Sequence, residues 1–110
     1  MSVRSTLPIS TRLISKLNEV ATAFERQGVR LFIFGSIART FPSSYRGSDL
    51  DLGYELPTGS DTATLRRELE QAVESLPTIR RVDLVDFSKA EGRFQRVAGT
   101  KTIELPTHHD

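Results

Sequence analysis

The sequence contains no cysteine, and its 15 Lys and Arg nearly balance its 14 Asp and Glu. Without cysteine, the chain can form neither a disulfide framework nor a thiolate metal site. No stretch approaches the roughly 20 apolar residues of a membrane span, and the first ten residues, MSVRSTLPIS, lack the apolar core of a signal peptide. The balanced charge predicts neither nucleic-acid nor membrane binding. We therefore expect a soluble, cytoplasmic protein.

The chain length limits what the protein can contain. At 110 residues it predicts a single domain, with a core over about residues 10–105 and a polar tail at 106–110. Such a domain can bury a hydrophobic core but has no room for a separate substrate domain. An elaborate acceptor pocket would therefore have to come from a partner.

The spacing of apolar residues predicts two long helices. The first starts at Ser10 and ends near Gly28, and the second ends before Pro77. Their apolar stripes consist of Leu13, Ile14, Leu17, Val20, Ala21 and Phe24, and of Leu65, Leu69, Ala72, Val73 and Leu76. The capping-box spacing of Ser88 and Glu91 predicts a further short helix that carries Phe94, Val97 and Ala98.

Four β-rich segments predict strands at residues 29–34 (VRLFIF), 48–56 (SDLDLGYEL), 80–87 (RRVDLVDF) and 100–105 (TKTIEL). The fold class that follows is α/β (α+β), a small mixed β-sheet flanked by helices, in the order α-β-(short α)-β-α-β-α-β. In the second strand the residues alternate, so that Asp49, Asp51 and Glu55 share one face.

Paired carboxylates on one strand face predict a metal site. Side chains two residues apart on a strand have Cα atoms roughly 6 to 7 Å apart, so Asp49 and Asp51 can bind common ions. Mg²⁺ prefers oxygen ligands, commonly one or two carboxylates completed by substrate phosphates and waters. The sequence therefore points to a magnesium site that also binds a phosphate.

Gly35 and Ser36 offer a place for that phosphate, because glycine permits close approach of the backbone and the hydroxyl can donate a hydrogen bond. A third acid is available at Asp83, in the middle of the third strand. Asp86 competes for that role but lies an odd number of residues away and faces the other side. Three acids and an anion site are typical of two-metal phosphoryl transfer.

These motifs, FGSIART, SDLDLG and VDLVDFS, resemble those of the nucleotidyltransferase superfamily related to DNA polymerase beta. In this size class they are similar to the minimal nucleotidyltransferases, and the resemblance covers about residues 10–105. It implies that Gly35 and Ser36 bind the nucleotide triphosphate and that Asp49 and Asp51 hold Mg²⁺. It further implies that Asp83 completes the triad and accepts the proton of the acceptor hydroxyl.

Members of this minimal family often act as antitoxins of helical HEPN-domain toxins, and some transfer AMP from ATP onto a tyrosine of that partner. The resemblance therefore implies ATP as substrate, two Mg²⁺ ions as cofactors and a HEPN-domain protein as partner. This chain departs from the family at one point: twelve residues separate Ser36 from Asp49, where ten are usual. The longer loop, TFPSSYRG, bears on whether Arg39 and Arg46 reach the phosphates.

Other interpretations of the same residues remain open. A Gly-Ser pair can be a simple turn, Asp83 can pair with Arg80 or Arg81, and loop arginines are often only solvated. At the level of function, the alternatives are a catalytically inactive module that neutralises a partner by docking and a stand-alone transferase for a small hydroxylated molecule. The second fits poorly, because the chain has no room for an acceptor-binding domain.

Overall fold

The computed structural model describes residues 6–41, 43–45, 49–59, 62–88 and 101–107. Within these ranges the chain forms three helices and six strands. The helices are α1 (Thr11–Glu25), α2 (Gly35–Thr40) and α3 (Thr62–Glu74). The strands are β1 (Thr6–Pro8), β2 (Arg30–Phe34), β3 (Ser43–Tyr45), β4 (Leu50–Glu55), β5 (Val82–Asp86) and β6 (Ile103–Leu105). None of the helices in these ranges is both long and apolar enough to cross a membrane.

The first helix forms where the sequence predicts it. The side-chain oxygen of Ser10 accepts a hydrogen bond from the backbone N–H of Leu13 at 3.1 Å, which caps α1. One face of the helix is buried, namely Leu13, Leu17, Val20, Ala21 and Phe24. After α1 the chain turns through Gly28 at φ +86°, a conformation that glycine adopts without steric cost.

Four strands form one mixed sheet in the order β5-β4-β2-β6. Strand β2 pairs antiparallel with β4 and β6, whereas β4 and β5 are parallel. Parallel strands need a crossover connection, and α3 provides it between β4 and β5. A separate two-stranded antiparallel sheet pairs β1 with β3. The prediction of a small mixed α/β domain is confirmed.

The two faces of the four-stranded sheet differ in what they carry. Leu31, Ile33, Leu50 and Leu52 are at most 1% exposed and belong to one core with the apolar stripes of α1 and α3. Because side chains alternate along a strand, the residues between them lie on the opposite face. We call this opposite face the acidic face, since it carries Asp51 and Asp83.

Three phenylalanines cluster on the acidic face. The ring centroids of Phe32 and Phe87 lie 5.2 Å apart, and those of Phe34 and Phe87 lie 5.3 Å apart. Phe32 and Phe87 are almost fully buried. Phe32 lies directly opposite Gly53 on β4, and the missing side chain of Gly53 leaves space for its ring. We call Phe32, Phe34 and Phe87 the aromatic trio.

Arg30 holds β2 to both neighbouring strands at the end of the sheet remote from Phe34. Its Nε donates to Glu104 Oε1 on β6 at 2.8 Å, and its Nη1 lies 3.1 Å from Glu55 Oε2 on β4. The guanidinium also lies 4.4 Å above the ring centroid of Phe32. Both carboxylates are half exposed, so we expect each pair to contribute no more than about 1 kcal/mol.

Two predicted segments differ from the structure or fall outside it. Within TFPSSYRG, predicted as a loop, the structure has strand β3, which pairs with Thr6–Pro8. A three-residue strand is too short to show the alternation that would reveal it. The short helix predicted from Ser88 lies in residues 89–100, outside the described part of the chain.

Replacing Gly53 with alanine tests the packing of the aromatic trio. A Cβ at Gly53 would lie 2.5 Å from Phe32 Cε2 and 2.8 Å from Phe87 Cε1, so both buried rings must move. We expect Gly53→Ala to destabilise the protein by about 1 to 3 kcal/mol, as overpacked cores do. Chemical denaturation would measure this loss.

The control is the double variant Phe32→Leu with Gly53→Ala. Removing the Phe32 ring creates room for the new methyl group, so the two substitutions together should cost less than the sum of the single effects. Strictly additive losses would contradict the proposed crowding.

Candidate active site

The parallel pairing of β4 with β5 places two of the predicted acids side by side. Asp51 lies directly opposite Asp83 in the register of the two strands. Neighbouring strands lie about 4.8 Å apart, and the paired side chains project from the same face. The backbone N–H of Leu50 donates to the carbonyl of Arg81 at 2.8 Å, which fixes the start of β4 against β5.

Asp49, the third predicted acid, lies one residue before β4 and is exposed. It is near enough for its charge to act on Asp51. Among the described residues no group of three or more His, Cys, Asp or Glu side chains is arranged to hold a metal ion. The pair that the register brings together is Asp51 and Asp83, and its donors are the carboxylate oxygens that Mg²⁺ prefers.

Gly35 adjoins this pair from the neighbouring strand. It follows Phe34, the cross-strand partner of Asp51, and begins α2 with φ +79°. A Cβ at Gly35 would overlap Oδ2 of Asp51 and would lie 3.2 Å from its Cγ. The Asp51 carboxylate therefore lies against the backbone of the predicted Gly-Ser turn. Ser36, which follows in α2, is half-buried.

The electrostatics of the site act against the ionised form of Asp51. Partial burial raises the pKa of its carboxyl above the ordinary value, and the negative charges of Asp83 and then Asp49 raise it further. Both causes disfavour a charged carboxylate. A bound cation would reverse the second effect, because it supplies the opposite charge to the same oxygens.

Asp83 has a cationic neighbour on its own strand segment. Arg81 Nε lies 3.4 Å from Asp83 Oδ1, with the Arg81 side chain 76% exposed and that of Asp83 40% exposed. The sequence allowed an ion pair of Asp83 with either Arg80 or Arg81, and this one is with Arg81. The spacing of two residues, which puts both side chains on one strand face, is the sequence signal for this pair.

Of the two predicted phosphate-binding arginines, the structure describes one. Arg39 is exposed in the last turn of α2. Arg46 belongs to residues 46–48, outside the described part of the chain. Their roles, like those of Gly35 and Ser36 toward a triphosphate, stay predictions.

Asp86 faces the helices, as the alternation along β5 predicts. Arg66 Nη2 donates to Asp86 Oδ2 at 2.8 Å, and the backbone N–H of Ser88 donates to Oδ1 at 2.8 Å. Arg66 Nε also donates to the Tyr54 hydroxyl at 3.2 Å. Burial raises the pKa of Asp86, but the hydrogen bonds from Ser88 and Arg66 outweigh it and lower the pKa overall. This carboxylate is stabilised in its charged form, in contrast to Asp51.

The sequence analysis did not identify the aromatic trio next to the acids. Phe34 lies opposite Asp51 in the register, and its ring packs against Phe87 from the end of β5. The trio forms an apolar cluster, largely buried, beside the carboxylate pair. The alternation of Phe32 and Phe34 in LFIF was the available signal, since residues two apart on a strand share a face.

The effect of Asp51 on stability should depend on pH. The pKa of Asp51 is raised in the folded protein, so the folded state binds this proton more tightly than the unfolded chain does. The protein therefore loses stability as the pH rises from near the ordinary value of 3.8 through the pKa of the folded state. Asp51→Asn removes this titration. We expect its free energy of unfolding at about pH 7 to equal or exceed that of wild type by up to about 1 kcal/mol after solvent screening, and the difference to shrink toward about pH 3.

Asp86→Asn is the matched control, since it neutralises an acid on the opposite face of the same sheet. The lowered pKa of Asp86 means that its ionised form adds stability above the ordinary value of 3.8, and that this stability is lost as pH falls. The variant should therefore melt below wild type at neutral pH. Thermal melts of both variants across pH measure these effects. If Asp51→Asn, like Asp86→Asn, were less stable than wild type at about pH 7, the repulsion inferred at Asp51 would be contradicted.

A scan against protein-family models found no match to the chain, and a search of the curated proteins also found none. The resemblance of the motifs to those of nucleotidyltransferases stays a prediction.

Proposed function

We propose that this chain is a Mg²⁺-dependent nucleotidyltransferase. It would transfer a nucleoside monophosphate, AMP from ATP, onto a hydroxyl of a partner protein and release pyrophosphate. The observation that carries the proposal is the pairing of Asp51 with Asp83 next to Gly35. This arrangement joins two acids and a Gly-Ser turn, which are far apart in sequence, at one end of one sheet face.

The order of elements supports a nucleotidyltransferase-type fold. The described part of the chain runs α1, β2, the short α2, β4, α3 and β5, and β6 follows residues 89–100. This order agrees with α-β-(short α)-β-α-β-α-β up to β5, and the expected fourth helix falls in residues 89–100. The pair β1 and β3 is an addition to that order.

Asp51 and Asp83 are the residues that would hold the cations, with Asp49 at the edge of the site. Their oxygen donors fit Mg²⁺, and the space beside Gly35 admits the Asp51 carboxylate. When bound, Mg²⁺ supplies counter-charge to the triphosphate and lowers the pKa of the attacking hydroxyl. The mutual repulsion of the acids in the cation-free protein is the expected state of such a site.

The chain's own groups then have distinct tasks in the transfer. The acceptor oxygen attacks the α-phosphorus, the bond from that phosphorus to the pyrophosphate oxygen breaks, and the hydroxyl proton passes to the Asp83 carboxylate. Ser36 would donate a hydrogen bond to the departing phosphates, with Arg39 and Arg46 as further donors. Holding these groups in line is the main contribution that a small protein can make.

We propose a HEPN-domain toxin as the partner, with this chain as its antitoxin. A domain of 110 residues is large enough for the proposed catalytic site, and in this proposal the acceptor supplies its own binding surface. The acidic face is suited to receive a protruding hydroxyl, because within the described residues the helices pack on the opposite face of the sheet.

The alternative is a catalytically inactive module that neutralises its partner by docking. One observation favours it: Asp83 is paired with Arg81, whose Nε lies 3.4 Å from Asp83 Oδ1. In this case the acids would be retained for structure, and the partner would remain unmodified.

A label-transfer assay distinguishes the two proposals. The chain is incubated with Mg²⁺, a HEPN-domain protein as candidate partner, and ATP labelled at either the α- or the γ-phosphate. Nucleotidyl transfer predicts that only the α-label reaches the partner. Asp51→Asn should abolish labelling because the cations lose a ligand, whereas Asp86→Asn should leave it nearly intact. Complex formation without any α-label would support the docking module instead.

Ser36→Ala should weaken transfer less than the loss of an acid does. The substitution removes one hydrogen bond to a charged group, worth about 1.5 to 3 kcal/mol, and leaves the backbone donors in place. We therefore expect the initial rate of α-label transfer to fall by roughly 10- to 150-fold.

Ser75→Ala is the control for this measurement. It removes an exposed hydroxyl, which donates to the Gln71 carbonyl at 3.2 Å just after α3, and it should leave the rate unchanged. A wild-type rate in Ser36→Ala would remove Ser36 from the site.

A further inference from the structure

Gly35 is held by two separate constraints. The first is its backbone, which has φ +79° at the junction of β2 and α2. The same sign of φ occurs at Gly28 and Gly59, at +86° and +81°. A residue with a side chain is strained in this region, so the backbone alone favours glycine at all three positions.

The second constraint applies to Gly35 and involves Asp51. A Cβ at Gly35 would overlap Asp51 Oδ2 and would lie 3.2 Å from Cγ and 3.4 Å from Cβ of the same residue. At Gly28 a Cβ would meet Pro57 at 3.2 Å, and at Gly59 it would meet no described atom within 4 Å. The volume next to the Gly35 backbone is therefore filled by the Asp51 carboxylate.

We propose that Gly35 is a positioning residue that determines where the Asp51 carboxylate lies. Because Gly35 lacks a Cβ, the carboxylate can lie against its backbone, on the sheet face that Asp83 shares. Side chains adopt a few staggered rotamers. A methyl group at residue 35 would block the present rotamer of Asp51 and force its carboxylate into a different rotamer. The consequence for cation binding rests on the proposed function, whereas the contact itself does not.

This role is distinct from letting a triphosphate approach the backbone. In that case a side chain at residue 35 would obstruct the ligand and leave the acids in place. In the positioning role, a side chain at residue 35 displaces the Asp51 carboxylate before any ligand binds. A displacement of about 1 Å at a reacting centre can lower the rate about 100-fold. The two roles therefore differ in what happens to the protein without nucleotide.

A double-mutant cycle on the ligand-free protein tests the contact. Thermal melts compare wild type, Gly35→Ala, Asp51→Ala and the double variant. Asp51→Ala removes the overlapping oxygen and leaves only the Cβ at 3.4 Å, an ordinary packing distance. We expect the Tm lost through Gly35→Ala to be clearly smaller in the Asp51→Ala background than in wild type. Equal losses in the two backgrounds would overturn the proposal.

Gly59→Ala is the matched control, because it carries the same backbone strain without the overlap. Its loss in Tm should be the same with and without Asp51, and Gly35→Ala should approach that loss once Asp51 is removed. If Gly35→Ala fails to fold, the double variant should recover folding. Failure of both would count against the contact as the cause.

Mn²⁺ serves as the probe for the functional consequence, in the absence of nucleotide. We expect Mn²⁺ to raise the Tm of wild type and of Gly59→Ala equally, and to raise that of Gly35→Ala much less, with an apparent affinity at least about 10-fold weaker. An unchanged Mn²⁺ response in Gly35→Ala would refute the positioning role. If the effects of Gly35→Ala and Asp51→Ala on Tm are coupled but Mn²⁺ does not raise the Tm of wild type, the contact is supported and the proposed metal site is contradicted.

Discussion

The parallel pairing of β4 with β5 is the interaction on which the remainder of the structure depends. It sets the register that brings Asp51 beside Asp83, and it requires α3 as the crossover that completes the core. The pairing places like charges together, at a cost of about 1 kcal/mol for half-exposed groups. On the opposite face it buries Leu50 and Leu52 completely, and each buried leucine contributes about 1.5 to 3 kcal/mol. Apolar burial on one face therefore outweighs repulsion on the other.

The two carboxylates Asp51 and Asp86 show how one sheet can treat the same chemical group in opposite ways. Asp86 receives hydrogen bonds from Arg66 and Ser88, so its charge is compensated within the protein. Asp51 is partly buried beside two further acids, so its charge lacks such compensation in the ligand-free chain. The first arrangement is typical of a structural acid. The second is typical of a site whose missing charge comes from outside.

Local periodicity was enough to predict the two long helices and the four strands of the main sheet, because the stripe from Leu13 to Phe24 and the alternation around Asp51 are both long and regular. It also assigned Asp83 and Asp86 to opposite faces. It could not predict that Asp51 and Asp83 face each other in register, because strand order and register are tertiary properties. Nor could it reveal the space that Gly35 leaves for Asp51, or the pairing of the short strands β1 and β3. These features depend on residues distant in sequence.

Strand β5 lies at one edge of the four-stranded sheet that the described residues form. Open edges invite pairing with the strands of other molecules, and charged side chains discourage it. Asp83 and Asp86 project from opposite faces of this strand, so a second copy that added its own β5 to this edge would bring its acids close to them. The acid that the proposed chemistry needs would then also help to keep this small protein from polymerising through its sheet.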